Sequence, residues 1–192
     1  QPLKYIDMGG GFATQTARLN NYEENEWKVP SYIDYSQSIF NVLKWYLLKY
    51  DCKLIYEPGR ALIDEPIDIY SKIINVTENR IIIDAGKNII PSVQFRIHPL
   101  ELISDNEDEN GTDYYDIFGP LCMGSDCIGK NVKLSNPKEN DIIKIKSVGA
   151  YCHSQSMNFI KYQPETFIES NGEIKLVRSK QNCSKLFSLD TF

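Results

Sequence analysis

Leu54-Ile55-Tyr56-Glu57-Pro58-Gly59-Arg60-Ala61 is the stretch from which the rest of the chain is read. Leu54-Ile55-Tyr56 is an apolar run that predicts a short buried strand. The next four residues place a carboxylate, a rigid turn, a bare backbone and a fixed cation at its end. Glu57 and Arg60 on either side of Pro58-Gly59 suit an anionic, nitrogen-containing cofactor, because Arg binds phosphate or carboxylate in a bidentate way. A salt-bridged strand end is the structural alternative.

Working upstream, Leu3 to Met8 predicts a strand that ends in Gly9-Gly10-Gly11. Three glycines after a strand let backbone N–H groups converge on an anion such as phosphate, or else make a tight turn under a packed backbone. No helix opens directly after them, which disfavours a dinucleotide fingerprint. Residues 12 to 30 are polar and read as a loop. Ser31 then reads as an N-cap with Asp34 as its capping-box acid. Ile39, Val42, Leu43, Tyr46, Leu47 and Tyr50 follow as one apolar helical stripe ending near Asp51. Strand, helix and strand with short connections predict a βαβ unit, hence a parallel sheet or barrel.

Downstream of Leu62 the texture changes. Ile67 to Ile73, Arg80 to Ile83 and Ile142 to Ile145 read as strands separated by Asn, Gly and Asp turns. Asn171-Gly172 between Phe167-Ile168 and Ile174 to Val177 is a strong hairpin signal, and no long helix is evident. The expectation is an α/β segment over 1–62 followed by an antiparallel β domain over 63–192. Starting on a strand without a Met or an entry segment, the chain reads as beginning mid-domain.

The composition bounds the function. With 192 residues, 42% of them hydrophobic, the chain can build one sizeable core or two small ones. A net charge of −5 and no long basic stretch argue against nucleic acid. No run is long and apolar enough to span a bilayer, so no membrane role is expected. Asp105 to Gly111 is acidic but lacks the spacing of a calcium loop and reads as a solvated loop; no metal is expected. Cys52, Cys122, Cys127, Cys152 and Cys183 are odd in number and lack zinc spacing, which predicts free thiols in a reducing, cytoplasmic compartment. Cys122 lies on a sharply turning segment, Phe118 to Asp126, where it is either an exposed acid or thiolate or a small buried hydrophobe. Val148 to Tyr151, taken alone, reads as a strand and turn with Tyr151 in the core.

Five motifs occur in order: Gly9-Gly10-Gly11-Phe12, Glu57 to Leu62, Asp84-Ala85-Gly86 with Asn88, Gly119-Pro120 with Cys122 and Asp126, and Gly149-Ala150-Tyr151 with Met157-Asn158-Phe159. This ordered set resembles the fold type III pyridoxal-phosphate decarboxylases, which include the diaminopimelate, ornithine and arginine decarboxylases. The likeness runs from Ile6 to about Val177, where Pro164-Glu165 and Leu176 to Arg178 resemble the family's closing strands. It implies the end of a (β/α)8 barrel carrying pyridoxal 5'-phosphate, followed by a C-terminal β domain. Barrel sites lie at the C-terminal ends of strands, where Gly9 to Gly11 and Glu57 to Arg60 both fall.

The resemblance also implies roles. Gly10 and Gly11 would bind the cofactor phosphate through their N–H groups, with Gly59 and Arg60 completing the cradle. Glu57 would pair with the pyridine nitrogen and keep it protonated, so that the ring can draw electrons from the carbanion left as CO2 departs. Tyr151 would reach the phosphate through its hydroxyl. Cys122 would be the general acid, serving the site of a partner subunit, and Asp126 would lie at the same interface of a homodimer with shared sites. Arg60, Met123 and Tyr151 would face the amino-acid substrate.

Three departures qualify these implications. No segment matches the motif of the Schiff-base lysine near the family's first barrel strand, so the N-terminal barrel half is missing and this chain alone is expected to be inactive. Met123 stands where the diamine and diaminopimelate branches carry an acid for the substrate's distal amine. Pro91-Ser92, with Arg96 further on, stands where the diaminopimelate branch has Arg-Pro. An atypical branch with a larger or conjugated amino-acid substrate, such as those of siderophore or other specialised pathways, is therefore expected. Two other readings are a non-catalytic homologue acting as a protein-binding decoy and one half of a split enzyme, a β domain whose barrel another chain supplies. A decoy is free to lose Glu57, Arg60, Cys122 and Tyr151, and all four are present.

Overall fold

The computed structural model describes residues 1–14, 29–104 and 111–189. The loop expected over residues 12 to 30 and the acidic run from Asp105 lie largely outside these residues.

The first third is a βαβ unit. Strand β1 (Tyr5–Asp7) pairs in parallel with β2 (Lys53–Ile55), Ile6 opposite Leu54, and helix α1 (Tyr32–Tyr50) connects them. The helix starts where Ser31 predicts. Ser31 Oγ accepts from Asp34 N at 3.2 Å, and Asp34 Oδ2 accepts from Ser31 N at 2.8 Å, closing the capping box. It stops at Asp51, which takes the left-handed conformation with φ 49°.

The apolar stripe of α1 needs correction. Leu47 is buried and Ile39 and Leu43 are half-buried, but Val42 is 82% exposed. At about 100° per residue Val42 falls on the margin of the stripe, and the helix turns it outward. Ile33, Trp45 and Leu48 are exposed as well, so α1 carries apolar surface well beyond the face it packs.

One feature was not anticipated. Immediately after Gly59 the chain makes a single helical turn, α2 (Arg60–Ile63), capped by Asp64.

The second part is built on a six-stranded sheet. Its strands are β3 (Ile69–Val76), β4 (Arg80–Ile83), β5 (Leu100–Ile103), β6 (Thr112–Phe118), β7 (Cys127–Ser135) and β8 (Ile142–Ile145), in the order β5-β8-β3-β4-β6-β7. All pairs are antiparallel except β4 with β6, which run parallel with Ile81 opposite Ile117. A parallel pair needs a crossover, which here passes through a 3-10 turn (Pro91–Gln94) and β5.

The sheet curls until its edges meet. A Cβ built on Gly129 of β7 would lie 2.7 Å from Leu100 Cδ1 of β5. Inside this nearly closed barrel, alternate residues face the core: Ile73, Ile81, Ile83, Ile117, Ile143 and Ile145 are each at most 1% exposed. Fully burying each is worth about 1.5–3 kcal/mol, and together they make this barrel the main core.

The hairpin β9 (Thr166–Ser170) and β10 (Glu173–Arg178) forms as predicted, with Asn171 at φ 53° and Gly172 at φ 80°. It is followed by a single turn, α3 (Cys183–Leu186).

The βαβ unit and the barrel touch where Gly149 lies against α2. A Cβ there would fall 1.6 Å from Ile63 O, so only glycine permits the approach.

Candidate functional site

The ends of β1 and β2 are laced together beyond the strands. Met8 N donates to Ile55 O at 3.0 Å and Glu57 N donates to Gly9 O at 2.9 Å. The glycine loop and the Glu57 turn are thereby adjacent. A Cβ on Gly10 would sit 2.8 Å from Glu57 O, so a side chain there would part them. Gly9 N is engaged by Asp7 Oδ1 at 2.8 Å, whereas the N–H groups of Gly10 and Gly11 have no partner among the described residues. Gly59 is exposed and opens α2.

Neither Glu57 nor Arg60 makes an ion pair among the described residues. The carboxylate is exposed and the half-buried guanidinium stacks instead on two rings. Arg60 Cζ lies 5.5 Å from the Tyr151 ring centroid and 5.9 Å from that of Phe95. Such contacts hold a cation in place for about 0.5–1 kcal/mol and leave its N–H groups for an anion. Tyr151 is 45% exposed and adopts φ 68°, left-handed backbone unusual for tyrosine. The strand-and-core alternative for Tyr151 therefore fails: the ring projects from a turn beside Arg60.

Cys122 is exposed and Met123 half-buried on a tight loop. Met123 N donates to Leu121 O at 2.8 Å and Asp126 N to Met123 O at 2.9 Å. Asp126, expected at a subunit interface, is 1% exposed within this chain. Its two oxygens accept from Lys87 N at 2.7 Å and Leu121 N at 2.8 Å. It thus ties the Cys122 loop to the Asp84–Asn88 segment. The described contacts do not join this loop to Arg60.

A buried polar network behind Tyr151 went unread in the sequence. Asp64 is fully buried; Thr14 Oγ1 donates to its carboxylate at 3.2 Å, Ala150 N donates at 3.2 Å and Arg96 Nη1 forms a buried ion pair with it. Arg96 is not the free cation that a substrate carboxylate would need. On the other side of Tyr151, Cys152 Sγ lies 2.9 Å from Ser92 Oγ, which lies 2.6 Å from His98 Nε2. His98 Nδ1 faces Lys146 O at 3.0 Å, an acceptor, so this nitrogen carries the proton and Nε2 accepts from Ser92. Burial, with Arg96 second, lowers the His98 pKa to about 4, and burial raises the Cys152 thiol. The chain Cys152–Ser92–His98 is therefore neutral. No local pattern signals these residues, which lie among other polar ones such as Glu65, Gln94 and His153.

Among the described residues no helix is long and apolar enough to cross a membrane.

Known proteins share this fold. Residues 62–149 match the family described as pyridoxal-dependent decarboxylase, C-terminal sheet domain. A probable chloroplastic diaminopimelate decarboxylase of Oryza sativa subsp. japonica is 29% identical over 92% of this chain and 35% of its own length. Diaminopimelate decarboxylase of Zymomonas mobilis is 28% identical over 96% of this chain and 42% of its own. The crystal structure of diaminopimelate decarboxylase from Helicobacter pylori complexed with L-lysine superposes with a TM-score of 0.80 at 26% identity, covering 98% of this chain and 45% of that one. The chain spans less than half the length of these relatives. Residues 62–149 thus carry the C-terminal sheet domain of the pyridoxal-dependent decarboxylases, and the chain as a whole is similar to the C-terminal portion of these enzymes, whose cofactor is pyridoxal phosphate.

Proposed function

We propose that this chain supplies one side of the active site of a pyridoxal-phosphate-dependent amino-acid decarboxylase. The observation that carries the reading is the pairing of the Gly9–Gly11 loop with the Glu57–Arg60 turn, where Arg60 rests on Tyr151 instead of an acid. The residues present fit the cofactor. The close approach at Gly10 leaves no space for a side chain, the Gly10 and Gly11 N–H groups are unengaged among the described residues, and Arg60 adds a fixed cation.

Gly10, Gly11, Gly59, Arg60 and the Tyr151 hydroxyl hold the phosphate in this reading, and Glu57 holds the ring nitrogen proton. The bound cofactor supplies an electron sink for the bond that releases CO2. The Cys122 thiol then delivers a proton to the substrate carbon, at the site of a second subunit in a homodimer.

The substrate is an amino acid outside the usual diaminopimelate type. Met123 offers a thioether rather than an acid to a distal amine, and Arg96 is held by Asp64. The relative from Helicobacter pylori was crystallised with L-lysine. The remaining barrel units, with the Schiff-base lysine, come from outside these residues. The exposed Ile33, Val42, Trp45 and Leu48 of α1 support this, since a two-stranded parallel sheet is not stable uncovered.

The test is the absorbance of the full-length protein on adding pyridoxal phosphate. A band near the visible edge, and CO2 release from one of a panel of amino acids, is expected. Absence of the band refutes the reading. Activity recovered only on mixing this chain with a separate N-terminal half supports a split enzyme, and partner capture without cofactor binding supports the decoy.

A further inference from the structure

We infer that Asp64 is a positioning residue that locks the glycine loop, Arg60 and Tyr151 into one cofactor-binding geometry. The inference rests on the proposed cofactor site.

Asp64 touches all three segments at once. Its backbone N–H donates to Arg60 O at 3.0 Å, one helical turn away, so Asp64 fixes the end of the turn that aims Arg60. Its carbonyl accepts from Gly149 N at 3.0 Å and its carboxylate from Ala150 N at 3.2 Å, holding the two residues before Tyr151. The carboxylate also accepts from Thr14 Oγ1 at 3.2 Å, three residues beyond the glycine loop. Arg96 neutralises the charge, and both side chains are at most 4% exposed.

Tyr151 needs such a lock. Left-handed backbone at a bulky residue persists only where the surroundings over-determine it. Ala150 before it is held by Asp64, and Cys152 after it is held by Ser92, which is itself bonded to His98. Both neighbours are at most 3% exposed, while Tyr151 itself projects to the surface. The buried network therefore presents the ring to Arg60.

The test uses the full-length protein. Asp64→Leu with Arg96→Met removes both charges together, a replacement that buried pairs commonly tolerate. Pyridoxal phosphate affinity is measured by fluorescence titration in the wild-type background and with Arg60→Ala and Tyr151→Phe present. If Asp64 acts through those two residues, affinity falls roughly tenfold in the first background and less than about twofold in the second. Equal losses in both, or no loss in the first, overturn the inference. Should the double variant fail to fold, Asp64→Asn is carried through the same cycle.

A second readout needs no cofactor: the 19F resonance of 3-fluorotyrosine placed at position 151. A shifted or doubled resonance in the Asp64 variant supports the lock, and an unchanged one overturns it. If wild-type protein binds no pyridoxal phosphate, the proposed function fails and this resonance alone decides the role of Asp64.

Discussion

Arg60 and Tyr151, drawn from opposite parts of the chain, meet with the guanidinium carbon 5.5 Å from the ring centroid. The contact stands in place of the ion pair that Glu57 would offer a residue three positions away, and it leaves the guanidinium with no carboxylate partner among the described residues. Replacing Arg60 by Ala is expected to weaken pyridoxal phosphate binding by about 1.5–3 kcal/mol, the range for a hydrogen bond to a charged group. Arg60→Lys should fall between, since the ammonium keeps the charge but loses the planar stack. Titration of the full-length protein checks both; unchanged affinity would make Arg60 structural.

Cys122 stands exposed on a loop anchored by Asp126, reachable from outside the chain. Cys122→Ala should lower turnover by on the order of a hundredfold, as expected for loss of a general acid, while cofactor affinity changes little. Deuterium incorporation at the substrate carbon in D2O gives the second measure. Unaltered rate and labelling would remove the thiol from the reaction.

Asp126 uses both carboxylate oxygens on backbone donors, Lys87 N and Leu121 N. In Asp126→Asn the amide NH2 must face one of these N–H groups and leave it buried without an acceptor. The expected loss is about 2–3 kcal/mol of unfolding free energy, read by urea denaturation, with turnover reduced through the displaced Cys122 loop. A stability change under about 0.5 kcal/mol would mean that the loop is held elsewhere.

Much of the architecture was legible because it rests on local pattern. Ser31 and Asp34 announce the start of α1, Asn171-Gly172 announces the hairpin, and the Glu57–Arg60 turn lies at a strand end as its flanks imply. What stayed hidden depends on non-local pairing. The parallel match of Ile81 with Ile117 leaves no trace in either strand alone. Asp64 reads as one more acid between Ile63 and Glu65 until Arg96 and Ala150 are brought to it. Val42 fits the helical period, and only the placement of the sheet shows that it faces outward.

His98 ties the buried network to pH. Its folded pKa is about 4, against an ordinary value near 6.5, because burial and the Arg96 guanidinium disfavour the imidazolium. Between those values the unfolded chain binds the proton and the folded one does not, so stability rises with pH. The contribution is whole above about pH 6.5 and disappears as pH falls toward 4; its size is on the order of 3 kcal/mol. Carboxylates titrate in the same window, so the comparison must subtract them. His98→Gln keeps polar atoms facing Ser92 and Lys146 but cannot take up the proton. Urea unfolding of the full-length protein at pH 7 and pH 4 should show a smaller acid loss in His98→Gln than in wild type, by about that amount. Parallel losses in the two proteins would mean that His98 enters the unfolded and folded states with the same affinity for the proton.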